Sequence, residues 1–251
     1  MSIEIQTRRE DTMPNEKNDW CVKGGITDIS HLFNCIAGTY DRLNHLLSLN
    51  TDRRWRRRAV RKLTPCDKAL DVAVGTADLA IEIVRQNKAR HVTGIDLSEE
   101  MLRLGDEKIR KADLASRITL QQGSALELSN PDGYFDAVTC AYGIRNFSNL
   151  DQGLQEMHRV LREEGQLLIL EFSYPDNKII RFFYDFYFTK IMPAIGRKVS
   201  KDPSAYSYLN RSVKEFIWGE AMAEKLRAAG FRNVSFHPMT FGITTLYLAQ
   251  K

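Results

Sequence analysis

The chain has 251 residues, 27% charged and 43% apolar, with a formal net charge of +4. It is long enough to bury a sizeable core, and no run approaches the roughly 18 apolar residues of a membrane span. Cys21, Cys35, Cys66 and Cys140 form no C-x-x-C pair, and His31, His45, His91, His158 and His237 show no ligand spacing. A disulfide framework and a metal site are therefore not expected, and a reducing cytoplasm is.

Residues 1–27 are polar and charged without an apolar h-region, so they read as a partly disordered tail rather than a secretory signal. A single domain is expected from Asp28 to Lys251. From Ile29 to Leu49, Leu32, Phe33, Ile36, Tyr40, Leu43, Leu46 and Leu47 recur at near-helical spacing, with Asp28 as N-cap. Arg53 to Lys62 is densely basic; on a helix Trp55, Ala59, Val60 and Leu63 share one side and the cations take the others. Such a face is either solvated or meets anionic lipid head groups, each cation then contributing about 1 kcal/mol. Nucleic acid is not an expected partner, since aromatics do not alternate with the cations. Residues 28–66 together read as lid helices.

From about Lys68 short β-branched runs alternate with amphipathic helices. The predicted order is strand Ala69 to Val74, helix Ala77 to Gln86, strand His91 to Leu97 and helix Ser98 to Ala112. Strands Ile118 to Gln122 and Phe135 to Ala141, helix Leu150 to Leu161 and strand Gln166 to Phe172 follow. This alternation predicts a parallel sheet with right-handed crossovers. An aromatic-rich helical insertion spans about Lys178 to Tyr208, within a substrate segment placed at 178–215. A helix from Trp218 to Ala229 stops at Gly230. Strands Asn233 to Pro238 and Ile243 to Ala249 then close a hairpin. The expected fold is α/β, a doubly wound seven-stranded sheet with an antiparallel last strand.

The central signal is Leu70-Asp71-Val72-Ala73-Val74-Gly75-Thr76-Ala77-Asp78-Leu79, a buried strand entering a turn of small residues and then a helix. Small side chains let the backbone approach a ligand, and the helix start offers N–H groups. A dinucleotide turn carries G-x-G-x-x-G; here Gly75 stands alone, flanked by Asp71 and Asp78. Those carboxylates would repel a pyrophosphate and suit a cationic sulfonium with an amino group, which favours S-adenosylmethionine over NAD. Asp96 ends the second strand about twenty residues on, where an acid can accept from both ribose hydroxyls. Gly123-Ser124-Ala125 and Ala141-Tyr142-Gly143 end the third and fourth strands on the same edge. Alone, Asp71 could be a turn residue and Asp96 a helix cap; in this order the set is specific.

Three further segments carry a family resemblance: Tyr40-Asp41-Arg42-Leu43-Asn44-His45-Leu46-Leu47-Ser48 with Trp55-Arg56-Arg57, then Tyr142-Gly143-Ile144-Arg145-Asn146, then Arg159-Val160-Leu161 through Gly165 to Leu170-Glu171-Phe172-Ser173-Tyr174-Pro175. From about His31 onward the chain resembles the ubiquinone/menaquinone biosynthesis C-methyltransferases. It departs from them at Val74 and Ala77, where that loop has glycines, and at Glu163-Glu164-Gly165, where K-P-G-G is usual. Ala77 is expected to add only a methyl group on a helical backbone, and Val74 to crowd the methionine part of the ligand.

The resemblance implies a class I methyltransferase in which Thr76, Asp96, Ser124 and Ala125 contact the cofactor, beside Asp71, Gly75 and Ala141. It implies methylation of a ring carbon in a prenylated quinol, here 2-demethylmenaquinol going to menaquinol. Arg145 is expected to stabilise the phenolate and order a water that takes its proton, with Asn146 facing the acceptor. Tyr40 would complete this set, organised by Asp41 and Asn44. The alternatives are that Arg145 serves a structural ion pair and that Tyr40, Asp41 and Asn44 only pin the lid. The run Ile179 to Phe188 reads as a helix packed over the core, with an apolar groove for the isoprenoid tail. Peripheral contact with the inner face of the membrane and pairing with a second copy are the remaining partner expectations. The rival functions are a class I methyltransferase for another small acceptor, including the ubiquinone benzoquinol precursor, and a non-catalytic scaffold.

Overall fold

The computed structural model describes residues 50–191 and 204–251 together with 33, 34, 37, 38, 41, 45 and 48, with the backbone alone at 204–209. Asp28, Tyr40 and Asn44 lie outside the described residues. Residues 33, 34, 37, 38, 41 and 45 are helical.

The basic segment forms α1 (Thr51–Val60). The alternating region gives β1 (Cys66–Val72), α2 (Asp78–Arg85), β2 (Ala89–Asp96), α3 (Glu99–Lys111), β3 (Ile118–Gln122), β4 (Phe135–Ala141), α4 (Leu150–Val160) and β5 (Leu161–Phe172). Then come α5 (Lys178–Phe186), a π-helical turn over Tyr187–Ile191, α6 (Ser204–Glu215), α7 (Glu220–Ala228), β6 (Arg232–Met239) and β7 (Thr244–Gln250). Polar caps set several starts. Ser98 Oγ accepts from Met101 N at 3.2 Å before α3, and Asn177 Oδ1 accepts from Ile179 N at 2.9 Å before α5.

The sheet has seven strands in the order β3-β2-β1-β4-β5-β7-β6. β1 pairs parallel with β2 and β4, and β7 runs antiparallel to both β5 and β6. Alternate side chains of each strand go to opposite faces: Ala69, Ala137 and Leu168 join one apolar cluster, and Leu70, Val138 and Ile169 the other. Both faces are therefore covered, as a parallel sheet requires. The expected α/β sheet with an antiparallel last strand is borne out. The strand order reverses between β1 and β4, and the crevice at such a point is where open sheets bind ligands.

Three local expectations are corrected. β5 starts five residues early because Leu161 already pairs with Phe135, across a register shift. The cations of α1 do not all leave the apolar side: Arg56 is buried beside Trp55, Ala59 and Val60. Ala77 is not helical; it stands before α2 in the left-handed region at φ 66°.

Candidate active site

Where β1, β2, β3 and β4 end, a cavity of about 330 Å³ opens, within the size range of small-molecule sites. Asp71, Gly75, Thr76, Asp96, Ser124, Ala125, Ala141 and Asn146 all line it, so the structure brings these predicted positions together. The backbone that shapes it is under strain. Ala73 (φ 54°), Gly75 (φ 54°) and Tyr142 (φ 60°), which line the cavity, and Ala77 (φ 66°) just after the loop all take left-handed conformations, which for non-glycine residues costs about 1–2 kcal/mol each. Gly143 is required by close approach: a Cβ there would lie 2.5 Å from the Ala73 Cβ. Val74 lines the cavity and also packs inward. Its Cγ atoms occupy the space a Cβ on Gly94 would need, at 2.8 and 3.0 Å, and the side chain belongs to the core.

Asp96 accepts from Gly75 N (2.8 Å) on one oxygen and Ser98 N (2.9 Å) on the other, which ties the loop to the start of α3. Burial still raises its carboxyl above the ordinary range, against the pull of those N–H groups. Ser124 Oγ accepts from Leu126 N at 3.1 Å and holds the turn after β3. Asp71 is 1% exposed. Thr139 donates to its Oδ1 at 2.8 Å, while Oδ2 has no hydrogen-bond partner among the described residues. Burial pushes its pKa up to about 7, opposed by the Thr139 hydroxyl and by Arg56. A buried anion with one oxygen orphaned at a cavity wall is a seat for a cation.

Asp78 plays a different part from the one expected. Lys108 Nζ lies 2.5 Å from its Oδ1 and Arg56 Nη1 3.4 Å from its Oδ2. Burial would raise its pKa, but these two cations outweigh it and lower it, so Asp78 is already neutralised. Lys108 also reaches Thr76 Oγ1 (2.8 Å) and Asp41 Oδ2 (2.8 Å), and Thr76 donates to Asp41 Oδ1 at 2.6 Å. Asp41 thus couples the N-terminal helical residues to the loop. Asn34 Oδ1 adds a second tie, accepting from Ser98 Oγ at 2.6 Å. Asp52 accepts from Arg56 (2.6 Å) and Ser48 (2.6 Å) and pairs with His45 Nδ1 (2.7 Å).

Arg145 sits on the 3-10 turn Ile144–Asn146, just past β4. Its side chain is 4% exposed and its Nη1 donates to Glu171 Oε1 (2.7 Å) and Tyr142 O (2.6 Å). Glu171 is 1% exposed and also accepts from the Arg145 backbone N–H at 3.3 Å. Arg145 Nε reaches Ser212 Oγ of α6 at 3.4 Å. The guanidinium therefore lies on the side of the insertion, whereas its neighbour Asn146 lines the cavity.

Sequence reading missed Arg56, Lys108, Ser98 and Glu171. For Ser98 the capping pattern was visible. For the others no local signal separates a cation or acid that turns inward from its solvated neighbours.

The ubiE/COQ5 methyltransferase family model matches residues 22–251. A demethylmenaquinone methyltransferase of Bacteroides fragilis is 43% identical over 89% of this chain and 92% of its own length. A ubiquinone/menaquinone biosynthesis C-methyltransferase of Citrifermentans bemidjiense is 45% identical over 89% of this chain and 96% of its own. Among solved structures, a SAM-dependent methyltransferase from Thermotoga maritima superposes with a TM-score of 0.63 at 18% identity, covering 89% of this chain and all of that one. At that identity it bears on the fold alone. The chain belongs to the ubiE/COQ5 methyltransferase family, and the methyltransferase and the S-adenosylmethionine cofactor expected from its sequence are borne out.

Proposed function

We propose that this chain methylates a ring carbon of a prenylated quinol, converting 2-demethylmenaquinol to menaquinol. The observation that carries the donor half is the orphaned, buried Asp71 Oδ2 on the cavity wall: it suits an ammonium and disfavours a diphosphate. The acceptor half is supported by relatives named demethylmenaquinone methyltransferase that match over 92% of their own length.

Asp71 and Asp96 would hold the amino and ribose groups of S-adenosylmethionine, with Thr76, Ser124 and Ala125 beside it. When bound, this cofactor supplies an electrophilic methyl group on a positively charged sulfur. The protein must then make the ring carbon a better nucleophile and hold it in line, and positioning of this kind can lower a barrier by up to about 7–11 kcal/mol. Loss of a ring hydroxyl proton, whose pKa lies near 10, pushes electron density onto the adjacent carbon. Arg145 stabilises the phenolate and orders the water that receives the proton; as a guanidinium it is no base itself. Glu171 and the Tyr142 carbonyl fix its position, and Asn146 and Tyr40 complete the acceptor side, Tyr40 being organised by Asn44 and by Asp41, which is itself tied to Thr76 and Lys108.

The insertion supplies the route for the tail. Ile179, Phe182, Phe183 and Phe186 are 69, 67, 62 and 51% exposed, and their i, i+3, i+4, i+7 spacing puts them on one face of α5. This face dips into the bilayer where prenylated substrate resides. Such a contact is peripheral by this reading; among the described residues no helix is long and apolar enough to cross a membrane. Flotation with anionic and zwitterionic vesicles is expected to carry the wild type and leave a Phe182→Asp, Phe183→Asp variant behind; equal behaviour of the two would remove this part.

The central test gives the purified chain S-adenosylmethionine and short-chain 2-demethylmenaquinol, with the benzoquinol precursor of ubiquinone in a parallel arm. C-methylated menaquinol with equimolar S-adenosylhomocysteine is expected. Calorimetry that detects no S-adenosylmethionine binding would sink the reading. Near-normal turnover in Arg145→Lys, with cofactor affinity intact, would remove Arg145 from its role.

A further inference from the structure

α5 has a second face. Tyr184 is its buried residue, 4% exposed, on the side away from the apolar stripe. Its ring stacks on Phe188 with centroids 4.2 Å apart and meets Tyr174 edge-on at 5.6 Å. Its hydroxyl is shut off from water and, among the described residues, has no hydrogen-bond partner. Tyr174 offers the contrast: its hydroxyl donates to Asp185 Oδ2 at 2.6 Å. An orphaned buried hydroxyl costs free energy that a phenylalanine would not, so its presence calls for a partner that arrives from outside.

The surroundings say what kind. Burial raises the Tyr184 phenol above its ordinary value, and the positive charge of Arg145 is the largest influence opposing that rise. Tyr184 does not line the cofactor cavity, whereas Asp71 and Tyr142, two other residues with orphaned atoms, do. The orphan on the insertion therefore lies outside the cavity that Asp71 lines.

We propose that Tyr184 binds the acceptor, its hydroxyl hydrogen-bonding a ring oxygen of the quinol beside the guanidinium of Arg145. The inference rests on the quinol reading above and adds a recognition residue to it. One helix would then address both ends of one molecule, with its outer stripe toward the lipid that carries the tail and Tyr184 toward the head group. A hydrogen bond made out of water is stronger than one at the surface, which suits a phenol to the task of orienting a ring.

The test is Tyr184→Phe, read four ways against wild type and against Tyr174→Phe. Tyr184→Phe is expected to unfold at the same temperature or higher and to bind S-adenosylmethionine within twofold of wild type. Its KM for short-chain 2-demethylmenaquinol, and its dissociation constant for the corresponding oxidised quinone, are expected to rise about tenfold, the loss of one hydrogen bond. Tyr174→Phe is expected to unfold at a lower temperature with an unchanged KM, because it loses a structural bond. A Tyr184→Phe protein with KM and quinone affinity within twofold of wild type overturns the assignment. So does one that is clearly less heat-stable, since its hydroxyl would then have a structural partner, and so does an equal KM rise in Tyr174→Phe. A wild type that binds S-adenosylmethionine but neither binds nor methylates the quinol overturns the substrate reading itself, which no result confined to Tyr184→Phe can do.

Discussion

The cofactor side and the acceptor side of this protein are built from different material. The first is backbone: strand ends, a loop of left-handed residues at Ala73, Gly75 and Ala77, and the Asp96 carboxylate held by N–H groups of Gly75 and Ser98. The second is side chains on helices: the Arg145–Glu171 pair, the aromatic faces of α5, and Ser212 on α6. A backbone-built site is fixed by topology and serves any member of the fold. A site built of side chains on an insertion can change its ligand by substitution. The division places cofactor binding in the sheet and acceptor choice in the helices, and four measurements test it.

The largest effect is expected at the acceptor side. Arg145→Ala leaves Glu171, 1% exposed, as an uncompensated buried charge, which should cost about 3–5 kcal/mol of stability. Urea unfolding measures it, and adding Glu171→Gln to the same variant should recover much of the loss. A loss below about 1 kcal/mol would mean that the pair behaves like a surface one.

Next comes Asp71→Asn. A hydrogen bond to a charged group contributes about 1.5–3 kcal/mol, so S-adenosylmethionine affinity by calorimetry should fall about 10- to 100-fold, with quinone affinity unchanged. A parallel fall in quinone affinity would show that the two sides are not separate.

The same carboxylate gives a pH dependence. Its pKa in the free protein is pushed up to about 7, above the ordinary value near 3.9. Its contribution to folding is therefore fully present below about pH 4 and lost as the pH rises through 7. Cofactor binding has the opposite sign, because only the ionised form pairs with an ammonium. Affinity should be flat above pH 7 and fall about tenfold per pH unit below it. Asp71→Asn should flatten this profile.

The smallest effect is Ala77→Gly. Ala77 holds φ 66°, a conformation that costs an L-residue about 1–2 kcal/mol and glycine almost nothing. Part of that gain is offset by the greater freedom of glycine in the unfolded chain. Thermal unfolding should show a net stabilisation of about 1 kcal/mol, and a destabilised variant would mean that the methyl group packs more than the strain costs.

The same division accounts for what could be read in advance. The period of the apolar pattern located β1 to β5, and the strand-turn-helix passage located the cavity, because hydrophobic alternation and small turn residues are local signals. Asp71 and Asp96 followed from their distance along the chain to Gly75. Arg56 escaped because five arginines surround Trp55 and Ala59 within Arg53 to Arg58, and composition cannot tell which one turns inward to Asp52 and Asp78. Asp78 reads from the sequence as a free carboxylate suited to a cationic ligand, because Lys108, its partner, lies thirty residues on. Ala77 was expected to be helical because helix starts blur by a residue or two, and here that residue carries the strain. Tyr184 was one aromatic among many in its segment, and only the missing partner distinguishes it.

α5 also fixes an angle. With 3.6 residues per turn, adding or deleting one residue inside it would rotate everything downstream by about 100°. Such a change between Phe182 and Tyr184 would leave them no longer on opposite sides, and elsewhere in residues 179–186 it would split the apolar stripe, so length changes within this span are incompatible with keeping both faces. The wider π-helical turn at Tyr187–Ile191 follows directly, and such a turn absorbs one extra residue without unwinding its neighbours. Variation in the length of this arm should therefore accumulate after Phe186, leaving the phase between the two faces untouched.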